Sequence, residues 1–124
     1  MFSTAMPPAV GLWWRDAVAR VQPDCAARTA LHEAKAIIRR ELAVQGISPG
    51  GTEYIVPVII GDDAQAARVA AQLQARGWDI RAIRTPTVPP GTARLRISIH
   101  ADHPPPLLAE VAAAVAEAAR SAED

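Results

Sequence analysis

The chain of 124 residues has little cysteine, little lysine, few aromatics and no excess of charge. It has one cysteine, Cys25, which has no partner for an internal disulfide and none for a thiolate metal cage. Its 13 basic residues are balanced by 13 acidic ones, so the formal net charge is zero. No large basic field exists to hold nucleic acid or an anionic membrane. Lys35 is the only lysine, and the remaining basic residues are arginine. With three tryptophans, one tyrosine and one phenylalanine, the core must be built from Ala, Val, Ile and Leu. No apolar run approaches the ~20 residues of a membrane span. The opening MFSTAMPPAV has neither the basic stretch nor the apolar run of a secretory signal. Together with the lone cysteine, this reads as a reducing, cytoplasmic setting.

Alanine is abundant and favours helices. Pro7-Pro8 leads into a predicted helix over residues 8–21, which stops before Pro23. Asp24 is placed to cap a second helix, in which Leu31, Ala34, Ile38 and Leu42 recur at three- and four-residue steps, with Gly46 at its end. Residues 47–53 form a Pro/Gly loop, and the β-branched run 54–60 is the clearest strand in the chain. Gly61-Asp62-Asp63 turns into a third helix, about 63–76, with Ala66, Val69, Ala70 and Leu73 on one face and Gly77 behind it. A short strand is expected over 80–83 and a period-two strand over 93–99. Three prolines and a glycine keep 84–91 irregular between them. A last helix is expected over 107–119. The order α-α-β-α-β-β-α predicts a small α/β domain whose sheet is covered by helices.

Two features point to a missing surface. The first helix carries Val10, Leu12, Trp13, Trp14, Val18 and Val21 around much of its circumference, and such a helix needs cover on most sides. The expected sheet also looks too small to cover both early helices.

Residues 79–103 carry the chemical signal. A loop braced by proline loses little entropy on binding, and it feeds a strand with alternating arginines. Arg96 could hold a carboxylate through a two-pronged, charge-assisted pair, with the Thr87 hydroxyl nearby. From spacing alone, a solvated arginine on an open sheet face is the commoner arrangement.

The run Pro86-Thr-Val-Pro-Pro-Gly-Thr-Ala-Arg-Leu-Arg96 closely resembles a signature near the C-terminus of the pyridoxal-phosphate (PLP)-dependent α-oxoamine synthases. Ile55-Val-Pro-Val-Ile-Ile-Gly-Asp62 resembles the strand and turn that precede it in that family. Phe2-Ser-Thr-Ala-Met-Pro-Pro8 resembles a segment some way after the family's Schiff-base lysine. Residues 9–53 match in helical character and length. Ala82-Ile-Arg84 ahead of Pro-Thr-Val-Pro favours the biotin-pathway branch over 2-amino-3-ketobutyrate ligases and 5-aminolevulinate synthases.

The resemblance implies the small C-terminal domain of the aspartate-aminotransferase-like PLP-transferase fold, with a mostly antiparallel sheet. Residues 1–22 would be a linker and helix joining a missing large domain, and 23–124 the domain proper. It implies that Arg96 holds the carboxylate of the amino-acid substrate and that Thr87 contacts substrate. Thr4, with Ser3, would reach the cofactor phosphate of the other subunit of a homodimer. The substrates implied are an amino acid and an acyl thioester; for the biotin branch these are L-alanine and a pimeloyl thioester, joined with loss of CO2.

The lysine, ring-binding aspartate and histidines that this chemistry requires fall upstream of the resemblance, so no catalytic residue is expected in this chain. Lys35 and His32 are expected on the exposed face of the second helix. An alternative role is a stand-alone, non-catalytic module that binds a partner protein through the first helix. His100, Asp102 and His103 are of zinc-ligating type, but further ligands are lacking nearby, and no metal site is expected. Pro104 stands where many relatives place a helix-capping Thr or Ser.

Overall fold

The computed structural model describes residues 5–122. In chain order they form α1 (Pro8–Val21), α2 (Cys25–Val44), β1 (Ile55–Gly61), α3 (Asp63–Ala75), β2 (Arg81–Ile83), β3 (Ala93–Ser98) and α4 (Pro105–Ser121). The three strands make one antiparallel sheet in the order β1-β3-β2. This is the predicted element order. Both short strands differ from expectation by one residue at an end, and α4 starts two residues earlier and runs two residues longer.

Local chemistry sets the helix ends. Asp24 accepts a hydrogen bond from the Ala27 amide at 3.0 Å, and Asp62 accepts one from the Gln65 amide at 2.8 Å. Each satisfies a donor that the first turn leaves orphaned. The far ends of α2 and α3 are alike. Gly46 and Gly77 take φ of 82° and 90°, where a Cβ is strained. The chain then turns back so that the Ile47 amide reaches the Leu42 carbonyl and the Trp78 amide reaches the Leu73 carbonyl. In both helices the residue after the glycine packs on the core, the apolar contact that accompanies this type of cap. The start of α4 has no side-chain cap: Pro104 precedes it, with proline in the first turn. Proline lacks the amide that a cap would satisfy and has the backbone angle of a first turn, so α4 starts cleanly at Pro105 without the Thr or Ser.

The sheet has two unlike faces. Along β3 the residues Ala93, Leu95 and Ile97 are buried, while Arg96 and Ser98 are exposed. Val56 and Val58 of β1 join the buried side, which packs with Ile38, Leu42, Leu73 and Val115 from α2, α3 and α4 in a single core. The opposite face stays open. It carries Ile55 and Ile59 at about half exposure, half-buried Pro57 and Ile83, and the arginines of β3. A sheet with one covered and one open face shows this apolar/polar alternation.

α2 finds its cover on α4, in keeping with the expectation that the small sheet cannot cover both early helices. α1 does not: none of its residues is buried, and Trp13 and Trp14 are 64% and 53% exposed. The two rings meet edge to face, 5.4 Å apart. No helix of the described residues is long and apolar enough to cross a membrane.

Candidate functional site

Arg96 lies in the central strand, flanked across the ladders by Pro57 on β1 and Arg81 on β2. Strand alternation sends it to the open face, because its neighbours Leu95 and Ile97 must point into the core. Arg81 spends its charge locally, with its Nε donating to Asp79 Oδ1 at 2.6 Å. Arg96 makes no ion pair among the described residues. It is an exposed guanidinium whose five donors are available to an anion.

The loop between β2 and β3 is held on several sides. The Thr87 amide donates to the Arg84 carbonyl at 2.9 Å, and the Thr92 hydroxyl donates to the Pro89 carbonyl at 2.7 Å. The Thr85 amide reaches Asp63 Oδ1 at the start of α3, 3.4 Å away. The peptide bond between Thr85 and Pro86 is cis. Thr87 sits exposed in this braced turn. Half-buried Arg94 turns its Nε to the Thr92 carbonyl at 3.0 Å. Thr4 lies outside the described residues.

Beside Arg96 the sheet opens into a cavity of about 420 Å³, which the sequence reading missed. β2 has only three residues, and its ladder with β3 stops at the pair Arg81–Arg96. Upstream the chain swings away: the Ile80 amide bonds back to the Trp78 carbonyl, and Gln74 Nε2 holds the Ile80 carbonyl at 3.0 Å. That leaves a gap along Ile97–Ile99, closed on the far side by the first turns of α4. Ile99, Leu107, Leu108 and Val111 give it an apolar wall; Arg81, Arg96, His100 and His103 stand around it, with Asp79 the only acid. Thr87 does not line it. The short stretch Trp78-Asp79-Ile80 ahead of a three-residue strand is the one sequence signal that could have marked the gap.

The two histidines are neighbours, with ring centroids 5.1 Å apart and His103 Nδ1 accepting from the His100 amide at 3.4 Å. No group of three or more His, Cys, Asp or Glu able to hold a metal occurs among the described residues. His32 is exposed on α2, as expected. Lys35 departs from expectation. It is half-buried, its Nζ donates to the Thr52 carbonyl at 3.1 Å, and it lies 5.2 Å from the centre of the Tyr54 ring. The ring face attracts the ammonium, and His32 Nε2 meets the Tyr54 hydroxyl at 3.3 Å.

The antiparallel sheet with helices on one face matches the small α/β domain of PLP-dependent transferases of the aspartate-aminotransferase type. Serine palmitoyltransferase from S. paucimobilis, solved with bound PLP and myriocin, superposes on 99% of this chain and 32% of its own, with a TM-score of 0.84 and 26% identity. No protein-family model matches the chain. The 8-amino-7-oxononanoate synthase of Yersinia pestis is 40% identical over 106 residues, 85% of this chain and 28% of that protein. The enzyme of the same name from Stenotrophomonas maltophilia is 36% identical over 119 residues, 95% of this chain and 29% of that protein. The match falls at the C-terminal end of these relatives. The chain therefore belongs to the PLP-dependent α-oxoamine synthase family, and spans less than a third of the length of the relatives it matches.

Arg96 offers an exposed guanidinium for a carboxylate. Lys35, the only lysine, is engaged with Tyr54 and Thr52.

Proposed function

We propose that this chain supplies the substrate-carboxylate end of an 8-amino-7-oxononanoate synthase active site. The complete enzyme would join L-alanine to a pimeloyl thioester with loss of CO2, in biotin synthesis in the cytoplasm. Bound PLP acts as the electron sink of such chemistry, held by a lysine outside this chain. The open guanidinium of Arg96 carries the reading. Its planar fork takes both oxygens of the amino-acid carboxylate, fixing the orientation of the bond to be broken. Thr87, in its braced turn, contacts substrate from the adjoining loop. Thr4 reaches the cofactor phosphate of the second subunit of a homodimer. Residues 1–22 serve as linker and joining helix, and residues 23–124 as the domain.

The chain alone is inactive on this reading and shows no cofactor absorbance after dialysis. Mixing it with the N-terminal portion of a close relative restores synthase activity; a cofactor band that persists on the isolated chain would overturn the assignment.

The exposed Trp13-Trp14 pair favours a second reading, a non-catalytic module that binds another protein through α1. It is distinguished by capture of a partner unrelated to the N-terminal portion.

A further inference from the structure

One row across the open face, Pro57–Arg96–Arg81, sets two arginines side by side. Side chains directly opposite one another leave the sheet about 4.5–5.5 Å apart at Cβ. A ligand with carboxylates on adjacent carbons could therefore span both guanidiniums, whereas a ligand with one carboxylate needs only Arg96. The two arginines differ in one respect. Asp79 Oδ1 accepts from Arg81 Nε at 2.6 Å, and Arg96 has no carboxylate partner among the described residues. Asp79 lies only two residues from Arg81 in the chain, so it is always at hand to hold that guanidinium. Both side chains of the pair are exposed, so the pairing occupies Arg81 without burying it.

We infer that Asp79 is a specificity-determining residue: by occupying Arg81 it restricts the row to ligands with one carboxylate and rejects amino acids that carry a second. The inference rests on the reading of Arg96 as the residue that holds the substrate carboxylate. Two effects act against a second carboxylate. To engage Arg81 it must displace Asp79, which exchanges one ion pair for an equal one and leaves no net gain. The displaced Asp79 then stays tethered beside the newcomer and repels it as a like charge. A repulsive group set against the wrong ligand discriminates as surely as an attractive one set for the right ligand. Aspartate is alanine with a carboxylate on its methyl group, so a row with one free guanidinium admits alanine and turns aspartate away.

The 124-residue chain and its variants are titrated at low salt with propionate and with succinate, which is propionate bearing a carboxylate on its methyl group. Binding is read from the NMR signals of the Arg81 and Arg96 Nε–H groups. In the parent both ligands shift Arg96 and leave Arg81 in place. In Asp79→Asn the preference for succinate over propionate rises about two- to fivefold, the range of one exposed ion pair, and Arg81 shifts together with Arg96. Adding Arg81→Gln to Asp79→Asn restores the parent preference, which assigns the rise to Arg81 rather than to His100 or His103 nearby. Glu33→Gln removes an exposed carboxylate from α2, on the covered side of the sheet, and leaves the preference unchanged. An unchanged preference in Asp79→Asn overturns the inference and leaves the role of Arg96 standing. A rise that persists in the double variant, or an equal rise in Glu33→Gln, overturns it as well, because Arg81 would then not be its source. Propionate that shifts Arg96 in none of these proteins overturns the carboxylate reading of Arg96, and the inference with it.

Discussion

Arg81 faces Arg96 directly across the β2–β3 ladder, and only Arg81 has a carboxylate beside it. Like charges opposite one another in a sheet are destabilising, so the pair costs the fold something. Asp79 offsets one of the two and leaves the other as an exposed cation on the open face. On the proposed reading, that guanidinium, beside a braced loop, serves a ligand rather than stability.

Arg96 therefore separates function from folding. In the enzyme reassembled with its N-terminal portion, Arg96→Ala raises KM for the amino acid by about 10- to 150-fold, the range of one lost charge-assisted bond at roughly 1.5–3 kcal/mol. KM for the acyl thioester moves little. Arg96→Lys keeps the charge but loses the planar fork, so it recovers only part of the affinity. In the isolated chain, Arg96→Thr leaves the denaturation midpoint unchanged or higher, because it relieves the repulsion and suits a strand. A silent Arg96→Ala in the assembled enzyme would remove the carboxylate role.

Leu95, one residue away, has the opposite character. It is fully buried in the central strand, between Val58 and Ala82 across the two ladders. Leu95→Ala removes buried methyl groups and leaves a void, costing about 2–5 kcal/mol of stability. Urea denaturation followed by circular dichroism measures it. A cost below about 1 kcal/mol would mean that the sheet is not the centre of the core.

Much of this was legible in the chain before its coordinates. The helix stripe Ala34, Ile38, Leu42 and the period-two strand ending at Ile99 need only hydrophobic spacing, because burial enforces a single register. The caps at Asp24 and Asp62 and the glycines 46 and 77 are local chemistry. The cavity was not legible, because it depends on where β2 stops pairing, and a hydrogen bond from Gln74 six residues upstream decides that. Lys35 was misjudged because composition predicts an exposed lysine, whereas Tyr54, distant in sequence, offers it a ring face. Arg96 stood out through its resemblance to a family signature, since spacing alone could not tell a ligand-holding arginine from a solvated one.

Arg76, the residue that follows α3, and Glu117 of α4 meet through two hydrogen bonds of 2.7 Å. The hydrogen bond from Arg76, reinforced by its charge, holds the Glu117 carboxyl below the usual carboxylate range. A depressed folded value means that the contribution is complete above the unfolded carboxylate pKa of about 4.3. It is lost as pH falls through the lower folded value. Glu117→Gln is thus less stable than the parent at neutral pH, and the gap closes on acidification. The pair is solvent-exposed, so the gap is small and shrinks further in salt. A gap that widens toward low pH would contradict the sign of the shift.

The bare face of α1 makes the last prediction. α1 has 14 residues and buries none of them. A helix of that length is marginal in water without packing, and Gly11 in its interior weakens it further. In the isolated chain the amides of residues 8–21 should exchange with deuterium at nearly unprotected rates, while those around Ile38 and Leu42 in α2 are protected to the level of global unfolding. Adding the N-terminal portion of a relative should slow exchange across α1 and shift tryptophan emission to the blue as Trp13 and Trp14 leave water. Replacing both by alanine removes up to a few hundred Å² of aromatic surface and should weaken that association more than it weakens the core of the domain. Protection of α1 equal to that of α2 in the isolated chain would mean that the helix finds its cover within these residues, and the large-domain interface would have to be sought elsewhere.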